Sequence, residues 1–290
     1  MQYLVDLVVS GIAVGAIYGL VAMGFALIYK ATGLVNFAQG EMAMVIAYIA
    51  WTIAGTVPGH PWLVVGGALV AALLLGLVIE RLIMRPMLGE PVFATVMVTI
   101  ALAVILRSLV LLVWDPYPHA LDIGVGRDVI HFGGTGVRSA QVAVMATLLA
   151  TCAVMWAFFR FSRIGKAMRA VAADERTAQL MGISAARIHA VAWVGSSLIA
   201  GIAGIFFALI YDVSPNLYHV GLKAFPATIL GGLDSVLGSG LSGVVLGVAE
   251  NLAGGYLAPS LKEITGFAVI IAVLMVRPFG LFGEREIERV

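Results

Sequence analysis

The side chains with most to offer chemically stand in two glycine-bounded interruptions of apolar sequence. Gly33-Leu34-Val35-Asn36, with Gly40 following, carries Asn36, Gln39 and Glu41; Gly232-Leu233-Asp234-Ser235, with Gly238 following, carries Asp234 and Ser235. Amide, hydroxyl and carboxylate groups at such breaks can bind a polar solute, or can satisfy the backbone groups that the break frees. A similar pair in one chain tips the reading toward a solute path lined by Asn36, Gln39, Glu41, Asp234 and Ser235. Covalent chemistry is not expected, because no nucleophile, base and orienting group fall together. No metal is assigned either: His119 and His131 lack metal-ligand spacing and read as solvated loop residues, and the one cysteine, Cys152, lies in an apolar run.

The elements that must position these groups are set by composition. Hydrophobic residues make up 61% of the 290 residues and charged residues 11%, with a mean hydropathy of +1.05. That balance excludes an ordinary soluble domain. A span needs about 20 mostly apolar residues, so the chain reads as one all-α polytopic membrane domain over residues 1–290, with about eight transmembrane helices. Apolar runs cover Tyr3 to Tyr29, Met42 to Ile53, Trp62 to Ile79, Val92 to Val113, Gln141 to Phe159, Ile188 to Ile210, Leu241 to Asn251 and Ile264 to Val276. The first run is too long for a signal-peptide core and reads as a retained span. Broken or re-entrant helices are expected near 33–41 and 224–240, where apolar stretches are too short to cross alone. Gly11, Gly15 and Gly19 form a small-residue stripe for close helix packing. Arg107 lies near enough to a span end to be read as snorkelling, and Glu250 and Asn251 read as helix-end residues.

One interval departs from all this. Residues 160–187 hold Arg160, Arg163, Lys166, Arg169, Arg176 and Arg187 against Asp174 and Glu175 alone. By the positive-inside rule it is cytoplasmic, as are Lys30, Arg81 and Arg85, which leaves the N-terminus and the loop 114–139 outside. Periodicity predicts a helix from Arg163, with Ile164, Ala167, Met168 and Val171 on one face. Asp174 is a good N-cap and Gly182 a good stop, so Glu175 to Met181 should form a second helix. A basic loop that does no more than orient the chain is the plain alternative. Two capped helices exceed that need, and exposed Met168, Val171, Leu180 and Met181 would then grip a soluble partner. The side of the C-terminus stays open, because a broken helix at 224–240 that does not cross would put Arg277, Arg285 and Arg289 outside.

Gly165-Lys166-Ala167-Met168-Arg169-Ala170-Val171-Ala172, continued by Ala178-Gln179-Leu180-Met181-Gly182-Ile183, resembles the cytoplasmic coupling motif of branched-chain amino acid ABC importer permeases. Gly33 to Glu41 and Leu230-Gly231-Gly232 are similar to other stretches of that family. The resemblance implies a multi-pass protein of the bacterial inner membrane, paired with a second homologous permease, two cytoplasmic ATPase subunits and a periplasmic substrate-binding protein. It implies ATPase coupling through Arg163, Gly165, Lys166, Met168, Arg169, Val171, Asp174, Leu180, Met181 and Gly182. The family also carries amides, urea and other small compounds, which leaves the substrate open. No phosphate loop occurs in the chain, so no cofactor is expected in it and ATP would be bound by partner subunits. The bilayer is the other partner, and no nucleic acid is expected.

Two alternatives stand beside this reading. An ion-driven secondary transporter would use Glu41, Asp234 and Glu250 as proton or cation sites, and a small-solute channel would leave the basic helices without a task.

Overall fold

The computed structural model describes residues 2–126, 128–132 and 135–283. Arg285 and Arg289 lie outside the described residues, as does the His131 side chain. The chain runs α1 (Gln2–Thr32), α2 (Gln39–Thr56), α3 (Pro61–Ile79), α4 (Val92–Val113), strands β1 (Val129–Phe132) and β2 (Thr135–Arg138), then α5 (Ser139–Phe161). It continues with α6 (Arg163–Ala173), α7 (Glu175–Leu180), α8 (Ala185–Ile210), α9 (His219–Gly231), α10 (Val236–Tyr256) and α11 (Leu261–Val276). Among the described residues six helices are long and apolar enough to cross a membrane: α1, α3, α4, α5, α8 and α10. The protein is therefore an all-α polytopic membrane protein; among the described residues a hairpin of β1 and β2 stands in the loop after α4, and His119 and Val213 form an isolated bridge.

Apolarity does not decide which helix is central, because lipid tails satisfy apolar side chains as well as protein does. Of the apolar window of α1, 94% is buried within the protein, against 17% for α5. What distinguishes α1 is the stripe of small residues. A Cβ on Gly11 or Gly15 would lie 2.8 Å from the backbone of Val248 or 2.6 Å from that of Gly243, so α10 can approach only because these positions are bare. Gly19 meets the backbone of Gly240 still more closely. The stripe thus places α1 antiparallel to α10, with Tyr3 and Tyr256 in edge contact at one end, their ring centroids 5.7 Å apart.

At the opposite end the Lys30 Nζ donates to the Asp234 carbonyl at 2.8 Å, which ties the two predicted breaks together. Gly33 at φ 67° and Gly232 at φ 100° make those breaks possible, since a left-handed backbone favours glycine. The short helix expected at 224–240 is α9, only 13 residues long. Beyond α11, Leu281 N–H bonds the Leu230 carbonyl at 2.8 Å and Phe282 N–H bonds that of Gly231 at 3.1 Å. The described C-terminal end therefore lies at the Lys30 end of the bundle, a question the sequence leaves open.

Candidate functional site

The first break folds back into the bundle. After α1 the chain runs extended from Gly33, turns at Asn36 and starts α2 at Gln39, beside Gly24 of α1 and Ser196 of α8. Asn36 Oδ1 accepts from Ala38 N–H at 3.0 Å, which closes the turn, and its Nδ2 donates to Gln39 Oε1 at 3.1 Å. Gln39 Nε2 donates to the Ser196 carbonyl at 3.3 Å, and Ser196 Oγ stands 2.9 Å from both Gln39 Oε1 and the Gly24 carbonyl. Gly24 is bare because a Cβ there would strike the Gln39 amide. Asn36 and Gln39 are wholly buried, and their polar atoms face protein.

Glu41 is differently placed. It accepts from Arg107 Nη2 at 2.6 Å, and the Arg107 guanidinium lies over the Tyr218 ring, 3.4 Å from its centroid. This corrects the snorkelling reading of Arg107: the side chain turns into the bundle, because an isolated carboxylate at this depth would be costly and the arginine satisfies it. An arginine inside a span is by default a functional candidate, and that signal was available. The pair lies in the wall of a cavity of about 280 Å³ whose other lining is almost wholly apolar, with Phe25, Phe37, Phe225 and Leu222 among it. Ser196, Thr99, whose Oγ1 accepts from Phe37 N–H at 3.2 Å, and Tyr218 are further members of the site that sequence reasoning missed.

Asp234 and Ser235 do not join this cluster. Ser235 Oγ accepts from Gly238 N–H at 3.2 Å as the N-cap of α10, and the Asp234 carbonyl receives Lys30. Both stand at the Lys30 end, whereas Asn36, Gln39 and Glu41 lie deeper. Glu250 and Asn251, read as helix-end residues, are instead buried inside α10, where Glu250 Oε2 accepts from the Tyr18 hydroxyl at 3.2 Å.

The basic interval folds as the two expected helices. Ser162 caps α6 by accepting from Gly165 N–H at 2.8 Å, and Gly165 must be glycine because a Cβ would meet the Phe158 carbonyl. Asp174 caps α7: it accepts from the Thr177 hydroxyl at 2.6 Å and from the amides of Arg176 and Thr177 at 3.0 and 3.2 Å. These bonds, that of the Thr177 hydroxyl foremost, hold its carboxyl below its ordinary value of 3.8. Gly182, at φ 84°, ends the turn, with Ile183 N–H bonding the Ala178 carbonyl at 3.0 Å in the pattern of a left-handed helix stop.

One expectation fails here. Met168 and Val171 are not exposed: they are 0% and 4% accessible and pack, with Ala178, into the cluster that holds α1 and α8. The amphipathic face of α6 is met by the membrane bundle itself, so these residues anchor the knob and cannot touch a soluble partner. Leu180 and Met181, at 88% and 80%, are exposed as expected, and Arg163, Lys166 and Arg169 surround the outer face of α6. Beside α7 lies a second cavity of about 240 Å³, walled by Glu175 of α7, Glu80 and Arg85 after α3, Thr32 of α1 and His189 of α8. Arg85 Nε bonds Glu80 Oε1 at 3.1 Å. Among the described residues no cluster of three or more His, Cys, Asp or Glu could hold a metal ion.

The sequence pattern for the family described as branched-chain amino acid transport system / permease component matches residues 7–274. The chain belongs to that family. The permease protein LivH of the high-affinity branched-chain amino acid transport system from Salmonella typhimurium is 32% identical over 99% of this chain and 98% of its own length. BraD of Pseudomonas aeruginosa, named as a permease protein of the same kind of system, is 31% identical over 100% and 98%. LivM of Salmonella typhimurium, also named as a permease protein of such a system, is 29% identical over 52% of this chain and 37% of its own length. No solved structure matches the chain. The permease family membership makes this a transport subunit, and the similarity to both LivH and LivM relates the chain to two kinds of permease protein.

Proposed function

We propose that this permease is one of two related membrane subunits of a binding-protein-dependent ABC importer in a bacterial inner membrane, carrying branched-chain or similar amino acids. The relatives' names support the substrate class. A second permease, two cytoplasmic ATPases and a periplasmic binding protein complete the assembly, and ATP is bound by the ATPases. The six long helices together with α2 and α11 make eight spans, and α9 adds a partial pass from the depth of Tyr218 to the Lys30 end. That end, with its arginines, is cytoplasmic. The loop carrying β1 and β2 faces the binding protein.

The single observation that carries the coupling role is the division of labour within the basic knob. Leu180 and Met181 project outward from a capped helix while Met168 and Val171 key the same unit into α1, α5 and α8. Closure of the ATPases moves the knob, the knob moves α1, and Gly24 of α1 bears on Gln39 at the first break. Asn36 and Gln39 hold that break in shape, Glu41 faces the solute, Asp234 ties the cytoplasmic end of the path to Lys30, and Ser235 caps α10 there. Co-purification tests this: the ATPase should be recovered with the wild-type permease in mild detergent and lost with Leu180→Glu/Met181→Glu. Equal recovery with both would remove the knob from the interface.

A further inference from the structure

We propose that Arg107 and Glu41 form a clamp for a zwitterion at the cavity between α2, α4 and α9, taking the carboxylate and the ammonium of an amino acid whose apolar side chain lies among Phe25, Phe37 and Phe225. The inference rests on the reading of the chain as an amino-acid permease, and it assigns the site at which the permease itself recognises its cargo.

Four observations support it. Arg107 is underused: of the five donors a guanidinium carries, Nη2 reaches Glu41, while Nε is buried and has no partner among the described residues. Nη2 and Nε lie on the same side of the guanidinium, so a carboxylate that takes the place of Glu41 on Nη2 can also reach Nε, the fork geometry that matches a carboxylate. The Tyr218 ring fixes the plane of that fork. The cavity beside it, at about 280 Å³, falls just under the roughly 300 Å³ at which sites for drug-sized ligands begin, a size suited to a small solute.

The rest of the wall selects the ligand. Phe225 contacts both Phe25 and Phe37 with centroids 5.8 Å apart in each case, which makes one continuous aromatic surface. Pro226 in α9 has no N–H, so the carbonyl of Leu222, another wall residue, lacks its usual helical donor. The fixed charges of the wall sum to zero. A zwitterion inserted between them keeps every charge paired at membrane depth, whereas a singly charged solute leaves one charge uncompensated. An uncharged amide or urea brings no charge of its own, so it offers neither Arg107 nor Glu41 an ionic partner in place of the other.

The test uses the complete transporter in liposomes, with leucine uptake as the readout and Glu41→Gln, Arg107→Gln and the double E41Q/R107Q as variants. A pair that merely stabilises the fold predicts that the double variant, neutral again, recovers. The clamp predicts that all three lose about tenfold or more in uptake, while the double still assembles with the ATPases. A double variant that assembles and transports at the wild-type rate overturns the proposal. If the double fails to assemble, Ala103→Phe replaces it, narrowing the cavity from a buried position of its wall; a variant that assembles with reduced uptake supports the clamp and one with wild-type uptake refutes it. If wild-type uptake proves independent of ATP, the importer reading fails separately, and leucine binding to the purified permease decides the clamp: binding lost in E41Q/R107Q supports it, and binding retained refutes it.

Discussion

Alanine at Met168 and alanine at Met181 should have opposite consequences, although the two methionines stand in one knob thirteen positions apart in the sequence. Met168 has no exposed surface and packs against the cluster that includes α1 and α8, while Met181 is 80% exposed. Full burial of a methionine side chain is worth about 1.5–3 kcal/mol. The cavity left behind raises the usual cost of a buried Met→Ala to about 2–5 kcal/mol. Truncating an exposed side chain usually changes stability by about 0.5 kcal/mol or less. Thermal unfolding of the purified permease should therefore show a clear drop for Met168→Ala and almost none for Met181→Ala. ATPase recovery at a temperature where both remain folded should show the reverse order, with Met181→Ala the weaker binder. Equal melting temperatures would refute the claim that α6 is keyed into the bundle through this residue.

Other consequences are more local. Gly243→Val should prevent assembly, since its Cβ would strike the Gly19 amide and lie 2.8 Å from the Gly15 carbonyl; Gly66→Ala, where a methyl meets nothing within 4 Å, should express normally. Gly24→Ala should fold less well and lose uptake, because the methyl displaces the Gln39 amide from its bond to Ser196; wild-type uptake would contradict this. The carboxyl of Asp174 is depressed in the fold, so its contribution to α7 is present above the ordinary value of 3.8 and is lost as pH falls through the lower folded value. Hydrogen exchange at the Arg176 and Thr177 amides, corrected for intrinsic rates, should rise over that acid window in the wild type and show no such step in Asp174→Asn.

Much of this arrangement was legible in local sequence. The limits of α4 coincide with the apolar run Val92 to Val113, and Asp174 and Gly182 announced α7 because caps and stops are chemistry of a few adjacent residues. The glycine stripe of α1 likewise announced close packing. What escaped were relations between distant segments. An amphipathic pattern showed that Met168 shares a face but not whether water, partner or bundle would meet it. Arg107 near a span end fits snorkelling as well as pairing until α2 places Glu41 2.6 Å away. The likeness between Gly33–Asn36 and Gly232–Ser235 correctly marked two breaks. It could not show that one break folds inward to the depth of Ser196 while the other stays at the Lys30 end as a helix cap.

The most direct measurement is the energy dependence of uptake in liposomes containing this permease with its partner permease, ATPases and binding protein. Uptake should require ATP, should persist when the proton gradient is collapsed, and should fall with Leu180→Glu/Met181→Glu as ATPase binding falls. Uptake that proceeds without ATP, or that stops when the proton gradient alone is collapsed, would contradict the account.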